Sequence, residues 1–252
     1  MPRISIHFPD MILEKERQVP SPRRFSVDQL GFIASILTLV FAGAFFIAGI
    51  FTPARGGNFC TSSCISYPYV NGVSSFIPSD YIWQYPPFLL ALSFVVLVAC
   101  VHQRTPDDAK VFSQIGLSFA SIYAAVVTID YFIQWTVVEP SVLSGQTAGL
   151  SLFSQYNPHG VLVSLESLGY LMMSVSLLFM AFVFGRGRLE SAIRWLFVAG
   201  FVLTVGFLVG FSLLGYDIVA FEVAVITVVC IVSVVGGVLL SIFFRRRSRA
   251  HP

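Results

Sequence analysis

Two carboxylic acids stand inside apolar runs of this 252-residue chain: Asp130 in TIDYFIQW and Glu166 in VSLESLGY. An ionised carboxylate at the centre of a bilayer costs roughly 2.5–3.5 kcal/mol on insertion scales, so such residues turn toward a bundle interior and mark proton, ion or substrate sites. Residues four and seven apart share one face of a helix. That spacing aligns Tyr123, Asp130 and Gln134 on one helix, and His159, Glu166, Tyr170 and Ser174 on the next. At 1.5 Å per residue both acids fall ~10 Å below the same membrane boundary. Glu222 and its neighbour Asp217 can add charge from the same side.

No Lys or Arg falls within the apolar interior of any run, and His159 is the one cationic side chain at this depth. Like-charge repulsion and desolvation then prevent both acids from being ionised together. Glu166 is expected either to carry a proton and donate to Asp130, Gln134 or Tyr170, or to be a ligand for something positive arriving from outside.

Three uses of these groups compete. The first is binding or transport of a proton, cation or small cationic ligand through an outward-facing acidic site. The second is a lipid-modifying membrane enzyme in which His159 and a carboxylate act as acid and base, which requires both within hydrogen-bond reach of one substrate position. The third is a scaffold in which the acids only join helices, since polar contacts between membrane helices contribute about 0.6 kcal/mol on average. The missing set of acid, base and nucleophile favours the first. Asp130, Glu166 and His159 could present three ligands to a divalent metal, but their spacing matches no recognised signature, and no metal or cofactor is expected.

The elements that must hold these side chains are legible in composition. Hydrophobic residues form 56% of the chain and charged residues 11%, against about 25% charged in soluble domains; the mean hydropathy is +0.82. Apolar runs long enough to cross a ~30 Å core lie near 29–51, 81–102, 112–136, 159–184, 193–214 and 218–244. They are continuous, without in-and-out alternation, which selects helices over barrel strands. The expected fold is therefore all-α, a polytopic bundle of six transmembrane helices. It comprises a flexible segment 1–27, a membrane domain 28–244 with outer loops 52–80 and 137–158, and a basic tail 245–252.

Of the 15 Lys and Arg, all but Arg55 lie on one side of this six-span scheme. Positive charge accumulates in cytoplasmic loops, so both termini are expected in the cytoplasm of a cell-membrane protein. The first run is too long for a signal-peptide core and follows a polar segment, which reads as a signal anchor. The chain contains no nucleotide-binding glycine loop, H-E-x-x-H helix or serine-hydrolase elbow, and no nucleic-acid partner is expected.

Local signals complete the scheme. Ser26 and Gln29 form a capping box ahead of the first span. Pro86 and Pro87 kink or restart the second helix, and Glu139 with Pro140 closes the third. Asn157 and Pro158 start the fourth as cap and first helical residue. Tyr67, Tyr69, Tyr81, Trp83 and Tyr85 read as a headgroup-level belt. AGLSLF, within 137–158, reads as a short surface-lying segment. In an oxidising outer compartment Cys60 and Cys64 are expected to form a disulfide, while Cys100 and Cys230 pack as small apolar residues. Gly206 and Gly210 form a G-x-x-x-G, expected to serve packing within the chain, with a homo-oligomer as the alternative. The terminal arginine run is expected to fix topology rather than to bind anionic lipid, though such runs can do so.

Overall fold

The computed structural model describes residues 26–57, 59–214 and 218–250. The segment 1–25 and Asp217 lie outside the described residues. Among the described residues the fold is all-helical, and six helices are long and apolar enough to cross a membrane.

Helix α1 (Val27–Phe51) opens on the expected reciprocal cap: Ser26 Oγ accepts from the Gln29 N–H at 3.1 Å, and Gln29 Oε1 accepts from the Ser26 N–H at 3.1 Å. A 3-10 turn, Ser79–Gln84, runs straight into α2 (Tyr85–Gln103). Pro86 and Pro87 fall in its first turn, where the missing N–H groups would lack helical partners anyway.

Glu139 and Pro140 do not close the third span. Helix α3 (Lys110–Ile133) continues through a π-helical segment, Gln134–Val138, into the short α4 (Glu139–Leu143). The Glu139 N–H reaches back five residues to the Gln134 carbonyl. A widened turn of this kind inserts one residue into the helical register and can relieve the clash that a proline ring makes with the preceding turn.

The start of α5 (Val161–Ala181) also differs from expectation. Its cap is Gly160, while Asn157 and Pro158 form a turn in which Asn157 Oδ1 accepts the His159 N–H at 3.0 Å. The asparagine side chain satisfies its own local turn rather than a helix end. The AGLSLF stretch contains a 3-10 turn, Leu150–Phe153. Helices α6 (Arg188–Leu214) and α7 (Ile218–Ala250) complete the bundle.

Each long helix packs against its neighbour in sequence, and α7 returns to α1, closing a ring of six; α5 also touches α7 across it. At one end Arg104 grips Asp28 through two bonds of 2.9 and 2.7 Å, tying the end of α2 to the start of α1. At the other end lie Cys60 and Cys64, bonded to each other. We call these the arginine end and the disulfide end.

Segment 52–80 is not a loose loop. Ile65, Val70 and Val73 pack with Val138, Val142, Leu150, Tyr156 and Leu162 in a second core that caps the disulfide end. The aromatic belt is accordingly split. Tyr67 and Tyr85 are exposed, but Tyr81 is buried and Trp83 stacks on Phe45 inside the ring. Cys100 and Cys230 are free and buried. Packing within the chain does not use Gly206, since a Cβ built there would meet nothing within 4 Å.

The contact between α3 and α5 depends on Gly169. A Cβ there would lie 2.5 Å from Val127 Cγ2, closer than packed carbons come. The missing side chain lets α5 settle against α3 and brings Glu166 to the level of Tyr131. Gly169→Leu is expected to lower stability by about 1–3 kcal/mol through overpacking, read as a lower unfolding midpoint in detergent. An unchanged midpoint would show that the two helices have room to separate.

Candidate functional site

Glu166 on α5 meets two tyrosines, and among the described residues no hydrogen bond joins it to Asp130 on α3. Tyr131 and Tyr170 both donate to Glu166 Oε1, at 2.6 and 2.7 Å, and their hydroxyls lie 3.3 Å apart. Tyr170 is one turn along α5 from Glu166, and Tyr131 crosses from α3. All three side chains are buried. Of the expected partners of Glu166, Tyr170 is in hydrogen-bond contact, while among the described residues neither Asp130 nor Gln134 bonds to it.

Asp130 is fully buried one layer behind. Gln134 Nε2 donates weakly to its Oδ1 at 3.5 Å, and its Oδ2 has no partner among the described residues. Gln134 Oε1 accepts from Gln84 Nε2 at 2.7 Å, which also donates to Gln155 Oε1 at 3.0 Å. Gln155 in turn donates to the Asp80 carbonyl at 3.2 Å. A chain of three buried or half-buried amides thus links Asp130 to the disulfide end. Gln134 opens the π-helical segment, so the register shift in the third span sits where this chain joins the helix.

Glu222 approaches from α7, half-buried. Glu166 and Glu222 both face a cavity of about 440 Å³ bounded by α1, α5, α7 and the cap. Phe45 and Trp83 contribute aromatic walls, Gln134 a polar one, and Arg55, Asp80 and Tyr156 stand on the lining at the disulfide end. Phe46, Ile50 and Val223 line the cavity and are also exposed on the side of the bundle, so it opens laterally as well.

On the lining at the disulfide end Arg55 donates to both oxygens of Asp80, its Nη2 reaching Oδ1 at 3.2 Å, and its guanidinium lies over the Phe76 ring, 3.6 Å from the centroid. Tyr156 donates to Asp80 Oδ2 at 3.3 Å. The carboxylate raises the Arg55 pKa above its ordinary value. Burial, with Asp80 beside it, pushes the Tyr156 phenol upward too. Arg55 remains a cation and Tyr156 a neutral donor. With Arg55 matched to Asp80, the acidic groups left without a basic partner on the lining are Glu166 and Glu222.

The remaining expected residues are placed elsewhere. Tyr123 is buried against Tyr170 and Phe94, with its hydroxyl unpartnered among the described residues. Ser174 is buried and bonds the Leu171 carbonyl. His159 is exposed in the turn before α5 and does not line the cavity. Among the described residues no three His, Cys, Asp or Glu side chains converge as a metal would require, so the set Asp130, Glu166 and His159 is not assembled.

Sequence reasoning missed Tyr131, Gln84, Gln155, Tyr156, Arg55 and Asp80. One signal was available: Arg55 and Asp80 are the only charged residues between 52 and 80. Two opposite charges alone in a long apolar and polar loop are candidates for one another. No protein-family model, curated protein or solved structure matches the chain.

Proposed function

We propose that this chain is a six-span membrane protein with its arginine end in the cytoplasm, and that it binds or carries a small organic cation, in exchange for a proton, at the acidic cavity. Support for the membrane setting comes from the six apolar helices and from the apolar outer face they present, with Ile47, Phe132, Trp195 and Val202 all exposed. The positive-inside distribution supports the orientation.

The observation that carries the reading is the cavity itself, where Glu166 and Glu222 meet from different helices under aromatic walls. Its volume lies in the range of small-molecule pockets and far exceeds a bare ion. Phe45 and Trp83 can offer ring faces to an organic cation. Two carboxyl groups facing one poorly hydrated cavity disfavour ionising together, so one of them keeps a proton. A cation seated there takes the place of that proton.

Phenethylammonium and its neutral counterpart 2-phenylethanol test this with the purified full chain in detergent, by titration calorimetry. The cation is expected to bind, more tightly as pH rises, and to release a proton detectable in buffers of different ionisation enthalpy. The alcohol is expected to bind much more weakly. Equal binding of the two, or of neither, would remove the charge from the explanation.

A further inference from the structure

We propose that a second, separate site at the arginine end holds a phosphate-bearing anionic ligand, with a membrane lipid headgroup as its source. Three segments distant in sequence converge there: the end of α2, the link between α5 and α6, and the end of α7. They enclose a cavity of about 350 Å³ whose lining includes Arg104, Arg186, Arg246 and Arg247.

The charge is not neutralised locally. Arg104 is committed to Asp28 by its two bonds, and Glu190 is the one acid on the lining. Glu190 stands in the first turn of α6 and folds over Gly187, where a Cβ would come within 3 Å of its carboxyl carbon. That position favours a carboxylate through the helix dipole. Arg186, Arg246 and Arg247 remain exposed and without a carboxylate partner among the described residues. Arg247 is held in place from below: its Nη1 donates to the Arg104 carbonyl at 3.4 Å, and its guanidinium lies 5.2 Å from the Phe243 ring centroid.

The lower wall is apolar, formed by Val101, Val183, Leu189 and Phe243. A site with arginines above and hydrocarbon below suits a headgroup whose acyl chains continue down the bundle. Guanidinium forks match phosphate oxygens with paired N–H donors, and basic pockets between membrane helices on the cytoplasmic side hold anionic headgroups. A topology signal alone requires arginines on this side. It does not require three separate segments to close them around one cavity.

The test uses the full chain in neutral detergent, with short-chain dioctanoyl lipids added and the unfolding midpoint and affinity measured. Dioctanoyl phosphatidic acid is expected to raise the midpoint, and dioctanoyl phosphatidylcholine is not. Glycerol 3-phosphate distinguishes the sources: a weaker response than to the lipid supports a headgroup, and an equal one supports the same site filled by a soluble phosphate ester. The double substitution Arg186→Gln/Arg246→Gln is expected to weaken phosphatidic acid binding roughly tenfold or more. Arg245→Gln/Arg249→Gln removes the same charge outside the lining and is expected to leave binding nearly intact. Equal losses in both doubles, or no response to phosphatidic acid, would overturn the proposal in favour of diffuse attraction.

Discussion

Glu166→Gln is expected to weaken phenethylammonium binding by roughly ten- to a hundredfold, the range that losing a charge-assisted hydrogen bond of about 1.5–3 kcal/mol implies. It is also expected to leave the fold almost untouched. The amide oxygen can still accept from Tyr131 and Tyr170, so the hydrogen bonds to the tyrosine pair keep their sense. Only the charge is lost. Glu166→Ala separates the two roles, because it leaves two buried tyrosine hydroxyls without their acceptor at about 1–3 kcal/mol for each unsatisfied group. Calorimetric titration and thermal unfolding of the two variants in parallel give four numbers. A Gln variant that binds like the parent sinks the cation site, while an Ala variant as stable as the parent sinks the account of the tyrosine pair.

Arg55→Met is expected to destabilise the chain by about 3 kcal/mol, the lower end of the cost of leaving one partner of a buried ion pair alone. The lower end applies because Arg55 retains some exposure, 13% of its side chain against 4% for Asp80. Asp80 keeps Ser79 and Tyr156 as donors but loses its only cation among the described residues. The raised pKa of Arg55 sets the sign of any pH effect. Its contribution is complete below the unfolded-state value for arginine and is lost only as pH climbs through the still higher folded value, so the pair holds throughout the neutral range. Arg55→Met/Asp80→Asn should recover part of the loss, since the double change removes the stranded charge as well. Detergent-micelle unfolding curves for the three proteins measure the difference, and a double variant no more stable than Arg55→Met would mean that the guanidinium acts through its packing on Phe76 instead.

Asp130 and Glu166 announce themselves, because a carboxylate in an apolar run has no other explanation than a partner. The capping box at Ser26 was equally plain, since both of its bonds lie within four residues. Asn157 and Pro158 failed as a helix start for a related reason. The same side chain can cap a helix or close a turn, and the choice was made by contacts beyond the segment. Pro140 failed because helical register is elastic: a π turn at Gln134–Val138 carried the helix past it. Tyr131 was missed since a tyrosine in an apolar run is ordinary, and only its donation to a residue 35 positions away makes it part of the site.

Sequence alone determined the number of long apolar helices, their approximate bounds, the segregation of positive charge along the chain and the presence of an acid in each of two apolar runs. Those properties depend on backbone hydrogen bonding and on the transfer of single side chains from water, which act over a few residues. Tertiary structure decided which oxygen meets which hydroxyl, that Glu222 shares a cavity with Glu166 while His159 does not, and that Arg55 and Asp80 pair on its lining. These depend on how helices rotate and approach, and one missing Cβ at Gly169 or one widened turn at Gln134 is enough to change them.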